Sequence, residues 1–286
     1  MMRKDEGIMP DAAVLSLGLS PCPNDTHILH ALLHGLVRLP FNIRPHVADV
    51  EELNALARSA ALDATKLSLG VVPYVMRDYA LLSSGAALGR GVGPLVVARK
   101  PLPERAWPQA RVVVPGLMTT ANLLLDLHGG FQGERREMLF SAVMPAVRCG
   151  GADMGVVIHE GRFTYARQGL VKILDLGEWW ESVSHAPLPL GAIAVRRDVP
   201  GPIALALQKA IAESLDYASE HPEASGEFVR AHAQEMEEGV MREHIRTFVT
   251  GFSHDLGQAG RAAIEELVTR AAGLRGQEMP AQGLFL

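Results

Sequence analysis

Cysteine is nearly absent: Cys22 and Cys149 are the two in 286 residues. Two thiols make no disulfide framework, and neither lies in a CxxC pair or a Cys/His cluster, so a reduced, cytoplasmic setting is expected. Positive charge is not in excess either. Against 32 Asp and Glu stand 27 Lys and Arg, a formal net charge of −5. No basic surplus exists to neutralise phosphates, which argues against a nucleic-acid partner. No long uncharged apolar run offers a membrane span. An export signal is lacking as well. Met1, Arg3 and Lys4 resemble a signal n-region, but Asp5, Glu6 and Asp11 follow at once, and the apolar stretch Val14–Leu19 is short and broken by Ser16 and Gly18. Short-period repeats and low-complexity linkers are missing too. What is present is an ordinary globular mixture, 48% hydrophobic and 21% charged, in a chain long enough for two lobes rather than one.

The first two hundred residues alternate strand and helix signals. Leu15, Leu17 and Leu19 repeat every second residue, which suits a strand. Pro21 to Thr26 breaks it, and Asn24, Asp25 and Thr26 offer capping oxygens to the apolar segment Ile28–Leu33. A helix is expected from Asp49, with Glu52 completing a capping box. Further strands are expected at Ala64–Leu67, Leu81–Ser83, Pro94–Ala98, Arg111–Val114, Met138–Phe140, Ala152–Ile158, Val171–Leu174 and Ala192–Val195. Thr119 or Thr120 would cap a helix running to Leu127. After residue 200 only helices are expected: Ile203–Glu220, Pro222–Gln234, Glu238–Ser253 and Asp255–Gly273. This alternation predicts an α/β protein with mainly parallel sheets flanked by helices. Pro94–Arg99 and Ala192–Arg197, with their charged ends, suit two crossings. Residues 99–195 then form an inserted lobe, and 1–98 with 196–286 a larger discontinuous one.

Four stretches carry chemistry. Ser20-Pro-Cys-Pro-Asn-Asp-Thr26 joins a strand to a helix, where ligands bind in such folds, although its polar groups serve equally as helix caps. On an extended Asp63-Ala-Thr-Lys-Leu-Ser68, Lys66 and Ser68 share one side, a clamp for an anion or carbonyl, while Ser68 could instead cap the next segment. Thr119, Thr120 and Ala121 open a helix whose free N–H groups and dipole suit a carboxylate. His159 and Glu160 close a buried strand, where a histidine can accept a proton with Glu160 or Arg162 orienting it or shifting its pKa. Against that stands an ordinary turn histidine. His27, His30 and His34 with Cys22 suggest a metal site, but no HExxH-type spacing occurs, and a surface helix stripe is the simpler reading. The glycines of Gly85–Gly93 lack nucleotide-binding order and a Walker lysine. Trp179 and Trp180 read as packing.

Several long words then combine: SPCPNDT at Ser20–Thr26, TKLS at Thr65–Ser68, SGAALGRGVGPL at Ser84–Leu95, PGLMTTAN at Pro115–Asn122, IHEGRFTY at Ile158–Tyr165, DLGEWW at Asp175–Trp180 and LPLGAIAVRRD at Leu188–Asp198. Together, in this order, they resemble the 1,4-dihydroxy-6-naphthoate synthase family over nearly the whole chain. The resemblance implies a two-lobed periplasmic-binding-protein-like fold of the second type. It implies a lyase of the futalosine route to menaquinone, converting cyclic dehypoxanthine futalosine to 1,4-dihydroxy-6-naphthoate without cofactor or metal. It makes His159 the proton acceptor and gives ligand contacts to Lys66, Leu67, Ser68, Thr120 and Ala121.

The partner so implied is a small molecule bearing a carboxylate, expected at Thr119–Ala121, with Lys66 and Ser68 holding oxygens from the other lobe and Asn24 and Asp25 nearby. Two other functions share the fold. A solute receptor would need an export signal or lipid anchor, and a chorismate dehydratase of the same pathway would lack the full IHEGRFTY and SPCPNDT words.

Overall fold

Residues 14–233 and 237–286 are described by the computed structural model. The basic and acidic N-terminal residues Met1 to Asp11, and Gln234 at the end of one expected helix, lie outside them. The strands in chain order are β1 (Val14–Leu19), β2 (Asn42–Val47), β3 (Ala64–Ser68), β4 (Tyr79–Leu81), β5 (Ala87–Gly89) and β6 (Leu95–Ala98). They continue with β7 (Val112–Val114), β8 (Arg135–Glu137), β9 (Met154–Val157), β10 (Val171–Asp175) and β11 (Leu188–Arg196).

Two sheets result. The first runs β2-β1-β3-β11-β4, with β5 also paired to β11; the second runs β10-β6-β9-β7-β8. In the first, β1 is parallel to β2 and β3, and β11 lies antiparallel to β3, β4 and β5. In the second, β7 is parallel to β8 and β9, while β6 is antiparallel to β9 and β10. Hydrogen-bond partners, not charged ends, decide where a strand belongs. β6 lies in the second sheet and β11 wholly in the first, so each is in the other sheet from the one that divisions at 98/99 and 195/196 imply.

Other departures have local causes. β2 is polar, largely exposed and carries Pro45, an edge strand with no apolar alternation to betray it. The strand expected at Met138–Phe140 ends at Glu137, and Phe140 begins a helix, Phe140–Arg148. The strand expected at Leu81–Ser83 closes at Leu81. The long helix expected from Glu238 stops at Phe248, because Thr250 opens Gly251–His254 with a reciprocal Thr250/Ser253 capping box. Before it, the helix expected over Pro222–Gln234 is Gly226–His232.

The interior joins the sheets. One apolar cluster holds Leu67 and Ala192 of the first sheet, Val96 and Val114 of the second, and Ile264, Leu267 and Val268 of the helix Gly257–Arg275. That helix packs on β11 and on the helix Thr120–His128, so it backs both sheets. Among the described residues no helix is long and apolar enough to cross a membrane. Leu267 has no exposed surface. Leu267→Ala should therefore cost about 2–5 kcal/mol, from lost transfer energy plus a cavity, read as a fall in the urea midpoint.

Candidate active site

The site is built from strand ends. β1 ends at Leu19 and the chain turns through Ser20 into the helix Pro23–Leu33, whose N-cap residue Cys22 makes no side-chain cap. The polar residues of this turn are therefore not spent on capping. Asp25 is buried at 3% exposure and acts as a hub. Its Oδ1 accepts from Lys66 Nζ at 2.6 Å and from Asn24 Nδ2 at 2.9 Å, and its Oδ2 accepts from Ser20 Oγ at 2.6 Å. Lys66, itself 5% exposed, also points Nζ at the Gly85 carbonyl, 3.4 Å away. A buried charge pair persists only with such full partnership, since each ion loses several kcal/mol of hydration. Lys66 thus reaches the cavity already paired with Asp25.

The alternation on β3 holds. Leu67 packs into the core, while Lys66 and Ser68 face the other way. The Ser68 amide donates to Asn54 Oδ1 at 2.9 Å, and its hydroxyl has no partner among the described residues. Across the cleft, Thr119 caps the helix Thr120–His128: its Oγ1 accepts from the Asn122 amide at 3.2 Å and donates to the Gly116 carbonyl at 2.7 Å. The Thr120 hydroxyl is spent too, accepting from the Leu69 amide at 2.9 Å and donating to the Leu190 carbonyl at 2.5 Å. It ties the second lobe to the first. What the helix start leaves unbonded is the main-chain N–H of Thr120 and of Ala121.

A second tie was silent in the sequence. Glu51, from the helix Val50–Arg58, accepts from the Met118 amide at 2.8 Å and from Asn54 Nδ2 at 3.0 Å. Burial raises its carboxyl above the ordinary value, against the pull of those hydrogen bonds. Gly70 makes the approach sterically possible, because a Cβ there would stand 2.4 Å from the Thr119 carbonyl oxygen.

His159 follows β9 with φ of +52°, a left-handed conformation unusual for a residue with a Cβ. Its ring is packed on three sides. Phe140 meets it edge-on at 5.2 Å and His244 stacks on it at 5.8 Å with 13° between planes. Cys22 Sγ lies 3.6 Å from Nδ1 and 3.7 Å from Nε2, so the sulfur faces the ring rather than one nitrogen. Burial lowers the imidazole below its ordinary pKa; Glu160 opposes this and His244 adds to it. Burial, with Asp25 next, raises the Cys22 thiol well above its own, which keeps it as S–H.

The expected orienting groups are engaged elsewhere. Arg162 donates to Asp175 Oδ2 at 2.8 Å and to the Gly93 carbonyl, an internal clasp rather than a partner of His159. Glu160 Oε2 faces His244 Nδ1 at 3.7 Å. The histidine stripe also reads differently in three dimensions. His27, half-buried, bonds Ser225 at 2.7 Å, and His30 is buried against Phe228 of the helix Gly226–His232, while His34 touches Phe228 and stays exposed, so only the far end of the stripe lies at the surface.

Asn24, Asp25, Lys66, Leu67, Ser68, Thr119, Thr120, Ala121 and His159 all border one cavity between the sheets. His244 was not foreseen. The signal available was a histidine on the buried stripe Val240, Met241, Phe248 of an amphipathic helix, a polar residue where the period calls for an apolar one.

Two α/β sheets facing a cleft, with the chain crossing twice between them, define a periplasmic-binding-protein-like fold. A ligand-binding component of an ABC-type import system from Staphylococcus aureus superposes with a TM-score of 0.70 at 12% identity, covering 96% of each chain. The aliphatic sulphonate binding protein of Escherichia coli gives 0.65 at 10%, over 94% of this chain and 89% of that one. At such identity only the fold is shared. A solved protein from Archaeoglobus fulgidus is nearer, with a TM-score of 0.86 and 31% identity over 92% of this chain and 98% of its own. The family described as menaquinone biosynthesis matches residues 15–273.

Two curated relatives narrow the family. One from Thermus thermophilus is 47% identical over 258 residues, 90% of this chain and 93% of its own; one from Streptomyces coelicolor is 44% identical over 266 residues, 91% and 94%. Both are named 1,4-dihydroxy-6-naphthoate synthase. The chain belongs to this menaquinone-biosynthesis family and is an enzyme.

The charge pair has a thermodynamic signature. Lys66→Met leaves Asp25 buried without its cation and should cost about 3–5 kcal/mol in denaturant unfolding. Adding Asp25→Asn, which removes the stranded charge, should recover part of that loss.

Proposed function

We propose that this enzyme converts cyclic dehypoxanthine futalosine to 1,4-dihydroxy-6-naphthoate, with His159 as the proton acceptor. The observation that carries this reading is the His159 imidazole. Its burial favours the neutral form, its backbone is held in a left-handed conformation at a strand end, and it borders the cavity. A neutral imidazole with a depressed pKa is a base at physiological pH. It takes a proton from the substrate, the carbon–carbon bond to the sugar-derived portion breaks, and the electron pair completes the aromatic naphthalene ring. Aromatisation supplies the driving force, so the reaction is a carbon–carbon lysis that calls for neither metal nor redox cofactor.

The carboxylate of substrate and product is met by the Thr120 and Ala121 N–H groups, unbonded within the protein and at the positive end of a helix. The hydroxyls of Thr119 and Thr120 shape this cradle without contacting the ligand. Ser68 offers a free hydroxyl from the opposite wall. With the lobes tied by Thr120 and Glu51, the cavity holds its substrate away from water.

His159→Gln should bind product normally while losing turnover by about 10²–10⁴-fold; retained turnover overturns the assignment. Parallel incubation with chorismate separates this enzyme from a dehydratase, since only the futalosine derivative should be consumed. Ala121→Leu should weaken product binding by about tenfold or more, the loss expected when a charge-assisted hydrogen bond of ~1.5–3 kcal/mol is blocked. In the wild type, kcat/KM should persist to lower pH than an ordinary histidine allows. The active form is the unprotonated one, so activity falls only as pH drops through the lowered His159 pKa.

A further inference from the structure

His244 lies behind His159 and does not border the cavity, yet it is 1% exposed and both its nitrogens are aimed at polar atoms. Nε2 stands 3.0 Å from Asn24 Oδ1, and Nδ1 stands 3.7 Å from Glu160 Oε2. Nδ1 and Oε2 are both buried without a hydrogen-bond partner. Buried polar atoms without partners are rare in native proteins, and two of them facing each other ask for a physical cause.

The hydrogen-bond chain beneath dictates which nitrogen carries a proton. Asp25 is paired with Lys66 and is an acceptor, so Asn24 must turn its amide N–H toward Asp25, at 2.9 Å. Its carbonyl oxygen therefore faces His244, and Nε2 must be the donor. If Nε2 holds the single proton of a neutral ring, Nδ1 presents a lone pair to a carboxylate oxygen. Two acceptors would then face one another in a buried setting, a repulsive arrangement. One proton between them satisfies both atoms, with an approach of about 0.5–1 Å needed to reach hydrogen-bond distance.

We propose that a proton is held between His244 Nδ1 and Glu160 Oε2, and that His244 is a positioning residue which fixes the charge and the ring plane of His159. The pair joins the lobes. His244 sits on the helix Glu238–Phe248, which packs on the helix Pro23–Leu33 and on β5, whereas Glu160 and His159 follow β9. The groups facing this region are Glu160, His159 and Cys22, with Asp25, Lys66 and Asp49 next to them. The held proton leaves the His244–Glu160 pair, like the Lys66–Asp25 pair, without net charge. His159 then gains its proton during turnover beside two pairs that carry no net charge. This inference rests on His159 as the proton acceptor.

Two measurements test it. In the full-length protein labelled with ¹⁵N-histidine and ¹³C-glutamate, two-bond ¹H–¹⁵N spectra at neutral pH should show His244, assigned by its loss in His244→Gln, with both nitrogens bearing protons. A bare Nδ1 together with an ionised Glu160 carboxylate overturns the proposal, whatever His159 does. The second measurement is the acidic limb of kcat/KM. His244→Gln keeps an amide donor for Asn24 but strands the Glu160 charge, which should raise the limb by roughly one unit; Glu160→Gln removes the carboxylate together with the shared proton, leaves the site as neutral as before and should leave the limb in place. A raised limb in His244→Gln with an unmoved one in Glu160→Gln supports the pair; an unmoved or lowered limb in His244→Gln, or a lowered one in Glu160→Gln, overturns it. A residue that merely fills space moves neither limb. Should His159→Gln retain turnover, the proton-acceptor reading fails while the spectroscopic result on His244 stands by itself.

Discussion

A lysine and an aspartate meet at 2.6 Å, both buried, at the floor of the cleft, and much of the site's geometry follows from that contact. Neither ion can stay buried unless its remaining lone pairs and protons are answered, so Ser20 and Asn24 are drawn to Asp25. Once Asn24 is oriented, the nitrogen it faces on His244 is settled, and the ring of His244 in turn stacks on His159. The turn after β1, the middle of β3 and a helix more than two hundred residues from the first are thus held to one arrangement of donors and acceptors. Such a network is rigid because its members are committed to one another, and the His159 ring beside it inherits that rigidity.

The opposite wall works by the same economy of groups. Threonine hydroxyls at a helix start are commonly taken for ligand contacts, yet here both are consumed, one as a cap and one as a tie to Leu69 and Leu190. The unbonded groups are main-chain amides, which no side chain can rotate away. Glu51 and Gly70 make the close approach of the lobes possible, the first by accepting an amide from the far side and the second by lacking a Cβ. Recognition by fixed amides costs little ordering of side chains on binding.

Strands with apolar cores were legible because burial on both faces leaves a plain signal: β1, β3, β9 and β11 all fall where apolar runs stand. β2 was not, since an exposed edge strand has no apolar period to read. Residues that border the cavity could be named from their words and their positions at strand ends. Their roles could not, because roles depend on who else needs the same atoms. Arg162 is taken by Asp175, Lys66 by Asp25 and Thr120 by the main chain. His244 lies 85 positions beyond His159 in a stretch that reads as an amphipathic helix, and only three-dimensional packing brings the rings within 5.8 Å.

Strand β11 carries a consequence for how the chain reaches this state. It fills the place between β3 and β4, so the first sheet has a vacancy at its middle until residues 188–196 arrive. Those residues are made only after every strand of the second sheet has been synthesised. The nascent first lobe must therefore wait, with unpaired backbone along β3 and β4, while the inserted lobe is free to assemble from its own strands. Such long sequence separation slows closure and exposes strand edges to wrong partners. The burial of Ala192, Ile193, Ala194 and Val195 between those neighbours marks the late step at which the two halves of the molecule become one.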